Sequence, residues 1–386
     1  MAAVMIGIDP HKGSHTAVAI GADEEPLGQV RASAAQATKL MAWAADWPER
    51  TWAVEGAGGL GYLLAQQLVT AGERVLDIQP KLGARVRLLA TGASGKNDPN
   101  DARSVAIAAL RSKTAAEVAA ADHAAVLKVW SKRHRDLSRA RNQVVCRLHA
   151  VLCDLVPGGF GKEITAGQAS GLLQRIRPSG AVAQARYDLA AEFVEDLRRL
   201  DAQLRDTKKK LAAAVQASGT SVTEIFGVGP IIAATVIGAV GQVSRFATRD
   251  RFASYNGTAP VEVSSGQRKI YRLSRRGNRR VNHVIHMAAV TQIRNKHSEG
   301  RAYFDRKLAG GKTRKEALRS LKRRISDAIY ARLQDDSRRA RKPGAREGNR
   351  GTALTPARPA HTPNTGSSDK PLPGLTPPYD PGQLST

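Results

Sequence analysis

"GIDPHKGSHTAVAI", residues 7–20, places an aspartate, Asp9, inside a run otherwise suited to burial. Met5, Ile6 and Ile8 lead in, a polar turn follows, and Thr16 to Ile20 returns as a second apolar run. Two such runs around a short polar turn read as a hairpin, and residues 26–32 extend it. Residues 3–9, 14–20 and 26–32 are thus expected as three antiparallel strands. Outward from there, "ASAAQATKLMAWAADW" (32–47) has helical spacing and "TWAVE" (51–55) is a strand ending on Glu55. "GAGGLGYLLAQQLVTAG" (56–72) is a glycine-rich turn into a helix, and "RVLDIQP" (74–80) is a fifth strand. "NDPNDARSVAIAALRS" (97–112) opens the next helix. Antiparallel strands followed by alternating helix and strand describe a mixed α/β sheet.

A chain of 386 residues accommodates two domains with separate cores and a non-globular segment. No run is long enough to span a bilayer, and the start lacks the pattern of a secretory signal. Cys146 and Cys153, seven apart on one face of an expected helix, suit packing better than a disulfide or a metal, and point to a reduced, cytoplasmic setting. The formal charge is +26, and residues 245–342 hold 27 basic and 8 acidic residues, about three quarters of the excess. Solubility does not require charge so concentrated. A polyanion explains it, and nucleic acid is favoured over a membrane surface.

Residues 122–155 and 187–217 carry apolar residues at three- and four-residue intervals, with Leu189, Phe193, Leu197, Leu200, Leu204 and Leu211 as one stripe. Such helices pair as an antiparallel hairpin or a dimerising coiled coil, with an ordinary bundle as the alternative. A second globular, basic and helical unit begins near Val222 and runs to about Leu333. Beyond Arg338, nine of the 18 prolines fall among Ser, Thr and Gly with few large apolar residues, so that tail is expected to be disordered. The expected boundaries are 1–120, 121–218, 219–335 and 336–386.

Each acidic residue has a plain structural reading by itself. Asp9 could cap a turn, and Glu55 could end a strand in solvent. In Asp98-Pro99-Asn100-Asp101, Asp98 would be N-cap, Pro99 the first helical residue, and Asp101 a partner for the positive helix end. Taken together they suggest more. The first strand of such a sheet lies beside the fourth, so Asp9 and Glu55 would be adjacent, and a helix start would bring Asp98 and Asp101 to the same edge. Four carboxylates so close cannot all ionise without cations. Mg²⁺ prefers hard oxygen ligands, and paired ions suit phosphoryl transfer.

The ordered set D…E…DxxD, carried by "IGIDPHKGSHTAVAI", "WAVEGAGGLG" and "GKNDPNDARSVA", resembles the RuvC-like DEDD domain of a bacterial insertion-sequence transposase family. The resemblance implies an α/β ribonuclease-H-like domain, catalytic and Mg²⁺-binding roles for Asp9, Glu55, Asp98 and Asp101, DNA as substrate, and a structured bridge RNA as guide.

In the second half, "TEIFGVGPIIAATVIGAVG" (223–241) reads as helix, turn and helix. Gly227 and Gly229 would let a phosphate approach backbone amides, as in a helix-hairpin-helix DNA-binding turn, with a plain helical turn as the alternative. Then Ser264-Ser265-Gly266 precedes Arg268, Lys269, Arg272, Arg275, Arg276, Arg279 and Arg280. A serine hydroxyl among guanidinium groups could attack a phosphodiester or only bind phosphate, and the residues alone rank neither first. "FASYNGTAPVEVSSGQRK" and "LSRRGNRRVNHVI" are similar to the family's C-terminal transposase domain. That resemblance places the nucleophile on Ser265, directly before Gly266, with Ser264 as its neighbour. It implies a mainly α C-terminal domain after a helical coiled-coil insertion, and a covalent phosphoserine intermediate in strand exchange. A homo-oligomer, dimer or tetramer, would bring distant groups together. The competing readings are a RuvC-like junction endonuclease, which leaves Ser265 idle, and a non-enzymatic nucleic-acid-binding protein.

Overall fold

A computed structural model describes residues 4–90, 97–112, 115–161, 163–265, 268–273 and 277–341. Two compact units divide at Ala125/Val126. The first contains β1 (Val4–Pro10), β2 (Ser14–Ile20), β3 (Pro26–Ser33), α1 (Ala37–Trp43), β4 (Arg50–Glu55), α2 (Tyr62–Thr70), β5 (Val75–Ile78), α3 (Pro80–Ala90), α4 (Asp98–Arg111) and β6 (Ala116–Glu117). All five expected strands are present, in the sheet order β3-β2-β1-β4-β5-β6. β1 runs antiparallel to β2 and parallel to β4, with Ile8 opposite Val54.

Both faces of this sheet are covered, and the strand period of two sorts the side chains between them. Ile6, Ile8, Trp52 and Val54 pack with Leu40 of α1 and Leu64 and Leu68 of α2. Trp52 is fully buried, and its indole N–H donates to Glu73 at 2.7 Å, which satisfies the polar end of an otherwise apolar core. On the opposite face, Ala53 and Leu76 pack with Val105 of α4 and Leu82 of α3, and Val18 and Ile20 pack with Ala102 and Ala106. Gly7 makes this second face possible. A Cβ there would sit 2.1 Å from the Ala102 carbonyl oxygen and 2.6 Å from the Ala106 nitrogen, so α4 lies against the bare backbone of β1.

The second unit carries α5 (His123–Leu155), α6 (Ala166–Leu173), α7 (Ala181–Ala217), α8 (Pro230–Val240), α9 (Arg249–Asn256), β7 (Pro260–Ser265), β8 (Arg268–Leu273), α10 (Arg279–Arg294), α11 (Glu299–Ala309) and α12 (Arg314–Arg341). α5 and α7 are the two expected long helices, and they pair antiparallel. Arg141 meets Asp201 and Arg186 meets Asp154, while Val144, Leu148 and Leu152 interdigitate with Ala190, Val194 and Leu197. Two details of the expectation change. Leu189 is 40% exposed, because Ala190 and Val194 present the closer surface at that end. Cys146 and Cys153 are exposed free thiols, since the buried stripe falls on the i, i+4, i+8 set 144-148-152 and leaves both outside it.

The remaining helices form a core around Val236, Ile237, Phe252, Ile285, Ala288, Leu321, Ile325 and Ile329. Asn256 is fully buried and donates to Ser326 Oγ at 2.7 Å. α12 runs to Arg341, so residues 336–341, expected in the tail, are helical. Asp336 explains the extension: it accepts hydrogen bonds from the hydroxyls of Thr220 and Ser221 at 2.7 and 2.6 Å. The rest of the expected disordered tail, from residue 342, lies outside the described residues. No described helix is long and apolar enough to cross a membrane.

Candidate active site

At the carboxyl end of β1, Asp9 is the next residue after Ile8, as Glu55 is after Val54 on the parallel neighbour β4. Residues 5, 7 and 9 share the face covered by α4, as do 53 and 55, so both carboxylates lie beneath that helix's N-terminal end. α4 begins there because Gly7 sets its distance and Asn97 sets its start. Asn97 has extended backbone and accepts from the Asn100 amide at 2.9 Å. Asp98 is therefore not the N-cap. It is the first helical residue, Pro99 the second, and both Asp98 and Asp101 keep their oxygens for other partners.

Those partners are an imidazole and two guanidinium groups. His11 Nε2 lies 3.1 Å from Asp9 Oδ2 and 3.4 Å from Asp98 Oδ1. Arg31 Nη1 lies 3.2 Å from Asp98 Oδ2, and Arg87 Nη1 donates to Asp101 Oδ1 at 2.6 Å. Burial pushes the Asp9 carboxyl above the ordinary aspartate range; His11 and Arg87 pull it down, and Asp101 and Asp98 push it up. Burial likewise raises Glu55, where Asp9 and Asp101 add repulsion against the pull of Arg87 and His11. The mutual repulsion ties all four carboxylates to one locus centred on Asp9.

Donors from Asp9, His11 and Asp98 lie within 4.8 Å of one another, close enough to share a single cation. Thr16 stands opposite Asp9 in the β1–β2 register, and its buried Oγ1 has no partner among the described residues. Hard carboxylate oxygens, a nearby imidazole and an unpartnered hydroxyl fit a divalent metal ion. The sequence pattern pointed to the four carboxylates but missed His11, Arg31 and Arg87. His11 had a signal, two residues beyond Asp9 in the same turn, whereas Arg31 and Arg87 arrive from β3 and α3 through tertiary packing.

The second unit holds the other expected residues. Gly227 has φ +80°, and a Cβ there would meet the Ala288 carbonyl at 3.0 Å, so this glycine serves a turn and its close packing on α10. Gly229 precedes α8 with open space around it. The helix expected before this turn is only a single 3₁₀ turn, Val222–Glu224, because Ile225 turns extended. Ser265 ends β7 opposite Arg268, and Ser264 stands opposite Lys269 in the backbone register. Arg272 lies further along β8, opposite Val261. Arg279 and Arg280 open α10 and are exposed, with Asn278 capping that helix by accepting from the Arg280 and Val281 amides. Gly266, Arg275 and Arg276 lie outside the described residues.

Comparison with known proteins gives two family matches along the chain. Residues 6–157 match a transposase model of the IS110 DEDD type, and residues 219–305 match that of the "Transposase IS116/IS110/IS902 family". The chain is 26% identical over 380 residues to the insertion element IS116 uncharacterized 44.8 kDa protein of Streptomyces clavuligerus, covering 86% of this chain and 95% of that one. It is 26% identical to the insertion element IS900 uncharacterized 42 kDa protein of Mycobacterium paratuberculosis, covering 86% and 96%. Over a shorter span, 37% of this chain and 36% of the relative, it is 33% identical to the insertion element IS110 uncharacterized 43.6 kDa protein of Streptomyces coelicolor.

Proposed function

The chain belongs to the IS116/IS110/IS902 transposase family, and from that premise we propose that it cleaves and exchanges DNA strands through a covalent phosphoserine intermediate. The observation that carries the proposal is the approach of Asp98 and Asp101, at the start of α4, to Asp9 and Glu55 at the carboxyl ends of the central strands β1 and β4, with Asp9 and Glu55 both raised by burial and by repulsion from neighbouring acids. Asp9 and Asp98 would hold Mg²⁺, with His11 beside both, and Glu55 on the neighbouring strand would complete the acidic set. The bound ion supplies positive charge that stabilises a phosphodiester as charge gathers on its oxygens. Asp101, anchored by Arg87, keeps the helix start aligned over Asp9.

Ser265 is the proposed nucleophile. Its oxygen bonds to phosphorus, one bridging P–O bond breaks, and the departing oxygen takes up the proton as a hydroxyl. The ester conserves the energy of the broken bond, so attack by a hydroxyl from another strand reseals DNA and releases the serine without ATP. The basic residues that follow it in the sequence, Arg268, Lys269, Arg272, Arg275, Arg276, Arg279 and Arg280, suit phosphate contacts. A structured guide RNA would account for target choice by base pairing, and an oligomer, dimer or tetramer, would supply the serines that exchange requires.

The test uses full-length protein, Mg²⁺ and DNA spanning the ends of its element, with nucleic acid that co-purifies retained and sequenced. Ser265→Ala should abolish the covalent protein–DNA adduct, Ser264→Ala should retain it, and Asp9→Asn should abolish cleavage. An adduct that survives Ser265→Ala would overturn the serine assignment. Co-purifying RNA without enrichment of one structured species would overturn the guide.

A further inference from the structure

Away from the carboxylates, a cavity of about 210 Å³ opens in the second unit where α10 packs on α12. α10 lines it with Arg279, Asn282 and His286, and α12 with Lys315, Arg319 and Lys322, each set spaced to share one helix face. No acidic residue lines it. Asn282 is fixed from behind, donating its Nδ2 to the Asn256 carbonyl at 2.8 Å, which turns its Oδ1 to accept from Lys322 Nζ at 2.7 Å. An ammonium has three donors, so two on Lys322 remain for a ligand.

Among the described residues, Lys315, Arg319 and Lys322 make no ion pair with a carboxylate. Glu316, one turn before Arg319, turns its carboxylate to the amide and hydroxyl of Thr313. Burial pushes Lys322 below the ordinary lysine range, and Arg319 and Arg279 push it the same way. His286 is lowered by burial, then by Lys322 and His283. A cavity lined by bases, with the half-buried Lys322 held as a donor and no acid in the lining, is suited to an oxyanion.

Its place in the fold gives the anion a context. Gly257 also lines the cavity, and β7 begins three residues later at Pro260; β8 ends at Leu273, and Arg279 opens α10. Both legs of the serine hairpin are therefore rooted here. Six residues of strand reach about 20 Å, which places Ser265 within about six base steps of the cavity along DNA.

We propose that this cavity is a phosphate subsite for a DNA backbone phosphate flanking the one attacked at the hairpin, with Lys322 and Arg319 as donors and Asn282 as a positioning residue. The inference rests on the proposed reading that this unit handles DNA. Its test measures binding rather than strand transfer, so the two can fail separately.

Full-length protein is titrated into labelled duplex DNA across a salt series, with a structured RNA titrated in parallel. Lys322→Gln and Arg319→Gln should each weaken duplex binding about tenfold, with the log–log salt slope shallower by about one. Inorganic phosphate should raise the melting temperature of the wild type and not that of Lys322→Gln. Arg319 is exposed, so its variant remains informative should Lys322→Gln fail to fold. Unchanged affinity and slope in Arg319→Gln, equal phosphate protection of wild type and Lys322→Gln, or loss confined to the RNA would each overturn the assignment.

Discussion

One methyl group at position 7 should disable the acidic centre without altering any of its side chains. The Cβ of Gly7→Ala would sit 2.1 Å from the Ala102 carbonyl oxygen, 2.6 Å from the Ala106 nitrogen and 2.8 Å from the Ala106 Cβ. None of these atoms belongs to a flexible side chain that could rotate away, so α4 must lift from β1. Restoring an ordinary contact of 3.4 Å requires a movement of about 1.3 Å. Overpacking of this kind costs about 1–3 kcal/mol, and contact with helix backbone favours the upper part of that range. In a unit of this size the loss lowers the melting temperature by roughly 5–15 °C. The chemical consequence is larger, because Asp98 and Asp101 ride on the N-terminus of α4 while Asp9 and Glu55 stay on the sheet. A displacement on the order of 1 Å costs about 100-fold in rate. Calorimetry and Mg²⁺-dependent DNA cleavage measure the two effects. Gly13→Ala is the control, since nothing lies within 4 Å of its added Cβ. Should Gly7→Ala melt within 2 °C of the wild type (about the smallest shift expected for 1 kcal/mol) and cleave at its rate, α4 does not position the carboxylates as argued.

Two further outcomes follow from the charged groups. At a divalent-ion concentration ten times its Kd, the wild type should gain about 1.4 kcal/mol of stability, reversed by chelator. Asp9→Asn should lose that gain yet be at least as stable as the wild type in chelator at neutral pH, which a thermal-shift series tests. The native Asp9 and Glu55 carboxyls are raised above 3.8 and 4.5, so their contribution to stability is present in full below those values and lost as pH rises through the native ones. Asp336 has the opposite sign. Burial raises it, but hydrogen bonds from Ser221, Thr220 and Arg339 hold it below 3.8, so its stabilisation is present above that value and lost as pH falls through the native one. Asp336→Asn should cost about 1–3 kcal/mol at pH 7 and flatten the acid limb of a denaturant-midpoint curve. An unchanged curve would mean that the Thr220–Ser221 contact does not anchor α12.

The sheet was legible because its strands alternate with the period of a half-buried surface and its turns are polar. The pairing of β1 with β4 followed from the three-strand hairpin, and it brought Asp9 beside Glu55 across the 45 residues between them. What stayed hidden depends on tertiary distance. Arg31 and Arg87 neutralise Asp98 and Asp101 from elements whose own patterns announce nothing but a strand and a helix. Gly7 read as one small residue in a strand, and only the approach of α4 reveals its role. The cavity rooted beneath the serine hairpin required two helices, widely separated in the chain, to bring their basic faces together, which spacing within either one does not disclose.

The misread helix start carries a physical lesson about the site. Asp98 is a good N-cap in isolation, and the Asp-Pro sequence favours that reading. The protein gives the capping role to Asn97, a neutral amide, and the difference is chemical. A carboxylate that accepts amide hydrogen bonds at a cap is stabilised in its charged form by the helix itself, which weakens its claim on a cation. With Asn97 accepting from Asn100, Asp98 and Asp101 retain their oxygens, and the positive end of the helix still moderates their repulsion. The fold therefore concentrates negative charge at the end of β1 and leaves it only partly answered by His11, Arg31 and Arg87. A helix that begins one residue earlier than the sequence suggests is what turns Asp98 from a capping acid into a candidate ligand.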